Sequence, residues 1–384
     1  MRHLMLKVII TFLFGFIMRL QTNAQATESE ECISSIMQQH AVVGLSVAVV
    51  KNNKIIYTHS FGVKNIETNA PLTNENIFRI ASISKSFSAT SIMQLAEAKK
   101  LSLEDDISKL VGFKIRNPKF PATVITLKMV MSHRSSINDN QGYFTLDAIN
   151  SDKNKEWAKC FNDYEPGTGY EYCNLNYNMV GTIIEKISGE RFDQYVKHHI
   201  LDPLQLYGGY CVDSLDKSRF ATLYAYNDSL KKFVASPAAY APRSEEIKRY
   251  IMGYSTPVFS PTGGMKISAP DLAKYMLMHM KQGKHNGKRI ISKQSAKQMQ
   301  AKLTDDNYGY GLAIMTTEKI IAGKTLKGHD GLAYGLHSAM FFDPKAQYGF
   351  VVISNGCDPL EADGFNAVTK KTINCLYEHF ILKK

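Results

Sequence analysis

Strand-like segments lie at both ends of this chain with a helical stretch between them, and that arrangement constrains the fold most. Gly44 to Val50 and Ile55 to Gly62 read as two strands joined by a Lys51-Asn52-Asn53-Lys54 turn. Tyr308 to Met315, Leu326 to Gly331, Leu336 to Phe342 and Tyr348 to Ser354 alternate like antiparallel strands between Gly and Asp-Pro turns. From Ser82 to about residue 255 the apolar period is mostly helical, clearest over Tyr177 to Ser188 and Phe192 to Leu201. Asp271 to Gln282 is a further helix, with Ser268 or Asp271 near its start as a cap, and Asp363 to Leu382 closes the chain as another. One sheet assembled from both ends is therefore expected. The fold class is α+β (mixed α/β): an antiparallel β-sheet flanked by helices (27–81 and 256–384) plus a mainly helical part (82–255). At 384 residues the chain is long enough for a substantial core.

Residues 1–26 stand outside that fold. Arg2 and Lys7 precede a short apolar run from Val8 to Ile17, and Ala24-Gln25-Ala26 has the small-x-small form of a signal-peptidase site. A membrane span needs about 20 apolar residues, and Arg19 interrupts this run too early. The expectation is a periplasmic or secreted protein, cut after Ala26, with no membrane span thereafter. Losing Arg2, Lys7 and Arg19, and no acid, lowers the formal charge from +11 to +8. The remaining basic residues are scattered and no nucleic-acid motif accompanies them, so nucleic acid is not an expected partner. None of the six cysteines forms a Cys-x-x-Cys pair, which argues against a zinc or thioredoxin-like centre. Both ends of such a fold usually lie together, so an exported chain would pair Cys32 with Cys357 or Cys375.

Chemistry enters with Ser82-Ile83-Ser84-Lys85. Positions i and i+3 share a helix face, so the Lys85 amine can reach the Ser82 hydroxyl and take its proton. Two further copies of the pattern, Ser214-x-x-Lys217 and Ser229-x-x-Lys232, make the four letters weak alone. A second polar cluster holds the chain's one Tyr-x-Asn, Tyr172-Cys173-Asn174, running into the Tyr177 helix. A third, Gly328-His329-Asp330-Gly331-Leu332, lies among the C-terminal strands. Paired-carboxylate, metalloprotease, P-loop and Gly-x-Ser-x-Gly patterns are absent, and no metal or cofactor is expected.

In their order and spacing, Ser82-x-x-Lys85, Tyr172-x-Asn174 and His329-x-Gly331 resemble the penicillin-recognising serine hydrolases. That is the serine β-lactamase and penicillin-binding-protein superfamily, here in its class C β-lactamase branch with D,D-peptidase and esterase relatives. Phe78-Arg79-Ile80-Ala81, Met131 to Ser136, Gly263-Gly264-Met265 and Tyr308 to Gly311 strengthen the likeness. It implies attack by Ser82 on a carbonyl to give an acyl-enzyme, with Lys85 and Tyr172 sharing the proton. Which of the two is the base stays open. It also implies that Asn174 orients Lys85 and the substrate amide, and that the Ser82 and Leu332 N–H groups form an oxyanion hole. Cys173 and His133 read as packing residues.

Where many relatives carry Lys-Thr-Gly, this chain has His329-Asp330-Gly331. A mostly neutral histidine removes a fixed positive charge. Asp330 would repel a substrate carboxylate, unless strand alternation turns it outward. The expected function is therefore an exported serine hydrolase of ester, amide or peptide bonds, esterase- or D-peptidase-like more than an efficient β-lactamase. The alternatives are an acyltransferase using an alcohol or amine acceptor, and a penicillin-binding sensor that acylates without turnover. The substrate would be a small molecule or cell-wall peptide, and the protein a monomer. Seven tyrosines between 206 and 259 either pack irregular loops or form an aromatic wall of the cleft.

Overall fold

A computed structural model of the protein describes residues 25–304 and 309–383. All of the expected signal peptide except Gln25 and Ala26 lies outside the described residues, and those two open a helix, α1, over residues 25–39. Strands β1 (Gly44–Lys51) and β2 (Lys54–Asn65) follow. Their two-residue turn holds Asn52 and Asn53 at φ 52° and 59°. Asparagine tolerates that left-handed geometry, whose twist matches the flanking strands. β3 (Ala70–Pro71), β4 (Met315–Thr317), β5 (Leu326–Ala333), β6 (Leu336–Asp343) and β7 (Tyr348–Gly356) complete the main sheet. Its order is β4-β5-β6-β7-β1-β2-β3, and every neighbouring pair is antiparallel. The β1–β7 pairing joins the two ends of the chain.

The pleat divides the core. Leu45, Val47 and Val49 with Phe350 and Val352 face Ile33 and Ile36 of α1 and Val368, Ile373 and Leu376 of α5 (Ala367–Leu376). Ala48, Val50, Val351 and Ile353 face the other way, beneath α4 (Ala269–Met280), in an apolar cluster that continues into the helical part. Sequential burial on both faces explains the nearly unbroken apolar runs of β1 and β7. A disulfide between Cys32 and Cys375 ties α1 to α5, while Cys357 is a buried free thiol. Among the described residues, no helix is long and apolar enough to cross a membrane.

Two helices position the site: α2 (Ser84–Glu97) and α3 (Asn174–Ser188). α2 is buried nearly all round, and its hydroxyls are satisfied: Ser91 Oγ donates to Phe87 O (3.0 Å) and Thr90 Oγ1 to Ser86 O (2.8 Å) within the helix, while Ser88 Oγ donates to Pro261 O (2.9 Å). Some boundaries differ from the sequence reading. The helix starts at Ser84, because Ala81–Ile83 is a tighter 3₁₀ turn. Of the expected Tyr308–Met315 strand, Tyr308 lies outside the described residues and 309–314 form no strand: Gly311 N–H bonds Ile314 O in a turn with Ala313 at φ 60°, so β4 begins only at Met315. Phe192–Val196 is α-helical, but Lys197–Leu201 widens into a π-helical stretch.

Candidate active site

Ala81 sits at φ 48°, an uncommon conformation for a residue with a Cβ. This local bend ends the Phe78–Arg79 strand and sets Ser82 in the turn that leads into α2. One helical turn on, Lys85 is fully buried. Its Nζ lies 3.1 Å from Ser82 Oγ, 2.9 Å from Asn174 Oδ1 and 3.1 Å from Thr262 O. The carbonyl and the amide oxygen can only accept, whereas the serine hydroxyl can do either. A neutral amine that donates to Asn174 and Thr262 is therefore left with its lone pair toward the Ser82 hydroxyl. Burial lowers the Lys85 pKa to about 7, against smaller upward effects of Asp139, Cys173 and Asp330.

Asn174 is held in turn. Its Nδ2 and backbone N–H donate to Asp139 Oδ2 (3.0 and 2.8 Å), Leu175 N–H donates to Asp139 Oδ1 (2.9 Å), and Thr262 Oγ1 donates to Asn174 Oδ1 (2.8 Å). Asp139 thus caps α3 from a separate loop and fixes the amide so that its oxygen faces Lys85. Neither Asp139 nor Thr262 carries a local sequence signal: one acts as a long-range cap, the other through its carbonyl on Lys85 and its hydroxyl on Asn174.

The Tyr172 ring lies 4.7 Å from Lys85 Nζ. Its hydroxyl is buried without a hydrogen-bond partner within 3.5 Å, and burial pushes it well above 10, offset in part by the nearby Ser82 hydroxyl. Tyr172 is thus a protonated phenol at neutral pH. His133 packs behind it at 4.4 Å, its Nδ1 accepting from Cys173 N–H (3.1 Å). Cys173 is buried, and its thiol is pushed well above 9 by burial.

Strand β5 forms another side of the cleft. A Cβ on Gly331 would lie 2.5 Å from Ile80 O and 3.0 Å from Ser82 N, so only glycine lets the strand meet the nucleophile's turn. Ser338 on β6 strengthens that contact, donating to Ile80 O at 3.0 Å. The β5–β6 turn is Tyr334-Gly335, both left-handed at φ 56° and 83°. Such a two-residue turn makes Ala333 and Leu336 a hydrogen-bonded pair, and alternation then directs Leu332 N–H away from β6. β4 pairs β5 only over Leu326–Gly328, leaving that edge open toward the cleft.

His329 and Asp330, expected beside the substrate, both border the cleft that holds Ser82. His329 is buried, its Nε2 3.0 Å from Tyr310 Oη and its Nδ1 2.6 Å from Asp330 O. The carbonyl requires a proton on Nδ1, so Nε2 accepts from Tyr310 and neither nitrogen is left for substrate. Burial lowers its pKa to about 3, so it is neutral. Asp330 pairs with Ala339, whose side chain joins the α1/α5 side of the sheet, yet the residue also borders the cleft and its carboxylate acts on Lys85. The two other Ser-x-x-Lys copies are exposed and lie in turns away from this cleft.

The cleft encloses about 740 Å³. Its aromatic lining is Tyr143, Phe144, Tyr170, Tyr172 and Tyr334, with none of the seven tyrosines between 206 and 259. Those lie elsewhere, and six of them have engaged hydroxyls; Tyr210 donates to Ser84 O (2.7 Å), Tyr240 to Ala221 O (2.8 Å) and Tyr250 to Glu185 (2.5 Å). The packing reading of that region is therefore the right one.

Comparison with known proteins fits this geometry. The chain is 24% identical over 357 residues to Protein flp of Staphylococcus aureus (strain MW2), covering 87% of this chain but 64% of that relative. It is 25% identical over 343 residues to Penicillin-binding protein 4 of Amycolatopsis lactamdurans, covering 85% and 84%. Among solved structures, the octameric penicillin-binding protein homologue from Pyrococcus abyssi superposes with TM-score 0.73 at 25% identity, covering 92% of this chain and 77% of that one. D-amino acid amidase from Ochrobactrum anthropi SV3 gives TM-score 0.71 at 19% identity, covering 92% and 99%, a likeness of fold. The family model described as Beta-lactamase matches residues 30–370, and the chain belongs to that family.

Proposed function

We propose that this protein is a serine hydrolase that forms an acyl-enzyme at Ser82 with Lys85 as the base, acting on ester, amide or peptide bonds. The observation that carries the reading is the buried Lys85 amine, held by two obligate acceptors so that its third contact is Ser82 Oγ. Removal of the serine proton by neutral Lys85 frees the oxygen to attack. Tyr172, kept protonated, supplies a proton to the leaving group and takes back from the Lys85 ammonium the proton that came from Ser82. The Ser82 and Leu332 N–H groups receive the developing oxyanion. Water then releases the acyl group. D-amino acyl amides and D-peptides are the first candidates, in line with the amidase and penicillin-binding relatives. The exposed rim side chains Phe144 and Leu332, 72% and 62% accessible, favour an apolar alcohol acceptor as a competing fate of the acyl group.

Export is part of this reading. It rests on the N-terminal segment and is supported by the Cys32–Cys375 disulfide, which suits an oxidising compartment. A monomer is also proposed; light scattering at several concentrations checks it, with particular point because one similar structure is of an octamer. The decisive experiment is a panel of p-nitrophenyl esters, D-amino acid amides, D-peptides and β-lactams, with intact-mass detection of the acyl-enzyme. Turnover lost in Ser82→Ala is expected. Permanent acylation by every substrate would instead identify a sensor, and no acylation at all would sink the proposal.

A further inference from the structure

A guanidinium lines the cleft three residues before the nucleophile. Arg79 is 9% exposed and borders the same cavity as Ser82. Three residues of chain span at most about 11 Å, so its backbone is close to the reacting centre. Nε donates to Gly263 O (2.9 Å), Nη2 to Ser260 Oγ (3.2 Å), and the guanidinium carbon lies 5.1 Å from the centre of the Tyr334 ring. Among the described residues, Nη1 has no hydrogen-bond partner and no carboxylate comes within 4.0 Å of the guanidinium. The strongest ionisable influences on Arg79 are Tyr334, Arg243, Tyr240 and Tyr143, and Lys266 feels Arg79 and Arg243 as like charges more than it feels Asp213 as an opposite one. Arginine keeps its charge at neutral pH. A nearly buried cation without a counter-ion is costly, and here it faces a cavity that a substrate enters.

We propose that Arg79 binds a carboxylate of the substrate, in a subsite shared with Tyr143, Tyr334 and Ser260. This deepens the hydrolase reading and rests on it: the site selects acyl donors or leaving groups that carry an anion. The positive charge absent from the His329 position is supplied by the strand that leads to Ser82. Arg79 also braces the 260–263 loop through Gly263 and Ser260, so a variant must separate recognition from bracing.

The test compares mono-p-nitrophenyl glutarate with p-nitrophenyl valerate, which probe an acyl-side carboxylate, and 3-acetoxybenzoate with phenyl acetate, which probe one on the leaving group. In Arg79→Met the anionic-to-neutral ratio of kcat/KM falls about tenfold or more for one pair. Arg79→Lys retains part of that ratio, since it keeps charge without the planar fork. A merely bracing arginine lowers both members of a pair alike, and unchanged ratios in both pairs overturn the proposal. A second arm needs no turnover: Ser82→Ala is titrated by calorimetry with 4-phenylbutyrate and with 4-phenylbutyramide. Preference for the carboxylate supports the proposal, and equal affinity or no binding of either refutes it. If wild type turns over none of these four esters and acylates with nothing in the wider panel, the hydrolase reading fails while this second arm still decides the role of Arg79. It also decides should Arg79→Met not fold.

Discussion

If neutral Lys85 is the base, the rate of acylation must follow its ionisation. The Lys85 pKa is lowered to about 7, chiefly by burial, so at pH 6 about a tenth and at pH 5 about a hundredth of the enzyme holds the neutral amine. kcat/KM for a non-ionising ester is expected to rise tenfold per pH unit below 7 and to level off above it. Two histidines near the site cannot produce that limb, since His329 is held at about 3 and His133 well below its usual value by burial. Asp330 is the rival: burial pushes its carboxyl up to about 6, although 38% of the side chain remains exposed. The Asp330→Asn variant therefore keeps a limb near 7 if Lys85 is its source. Linkage gives an independent reading of the same group. Between the folded value of about 7 and the unfolded 10.5, the unfolded chain binds a proton that the folded one lacks, so stability rises with pH across that window. Integrated from pH 7 to 9, the gain is about 2 kcal/mol, and it is absent in Lys85→Met. Urea unfolding of both proteins at the two pH values measures it. A limb at 9 or above, together with equal pH dependence of the two stabilities, would refute a neutral Lys85.

Other substitutions probe the remaining contacts. Tyr172→Phe leaves the cleft's shape but removes the proton donor, and kcat is expected to fall by about 10²- to 10⁴-fold in steady-state assays. Gly331→Ala forces a Cβ against Ile80 O and Ser82 N, 2.5 and 3.0 Å away, so about 1–3 kcal/mol of stability should be lost along with most of the activity, as read by thermal unfolding and ester turnover. Asp139→Ala deprives α3 of its cap and Asn174 of its anchor; a loss of about 1–2 kcal/mol in chemical denaturation is expected, with kcat reduced more than KM is raised. Cys32→Ser, which opens the link between α1 and α5, should lower stability by about 2–5 kcal/mol while ester turnover at 25 °C persists.

The sequence revealed most where a residue's role is local. Short, mostly apolar runs bounded by turns mark β6 and β7, and Ser82-x-x-Lys85 needs only one helical turn to bring its two side chains together. Pattern is less informative where a contact is long-range. Asp139 is 35 residues from the Asn174 backbone that it caps, and Thr262 is 177 residues from the Lys85 amine that its carbonyl accepts from. The segment ending at Met315 misleads because the apolar residues from Tyr310 on are buried around a turn, where Gly311 and Ala313 break the ladder that alternation implies. The 206–259 tyrosines mislead in another way. Aromatic content marks burial as readily as a binding wall, and only the positions of their hydroxyls distinguish the two.

The electrostatics of the cleft change the argument about substrate. Replacing a strand lysine by His329 suggests a site unfriendly to carboxylates, and Asp330 beside it strengthens that expectation. The pleat weakens part of the objection, because Asp330 pairs with Ala339 on the face opposite Gly331, although it still borders the cleft. Arg79 answers the rest by placing a charge with no acidic partner among the described residues at the cleft wall. The site then contains two cationic side chains with opposite fates. Lys85 is enclosed by oxygens that accept from a neutral amine as well as from a charged one, so it can lose its proton and serve as a base. Arg79 cannot, and a charge that cannot be discharged is best compensated by an anion that arrives with the substrate. What selects the substrate is therefore expected to be read at Arg79, three residues upstream of the serine that reacts with it.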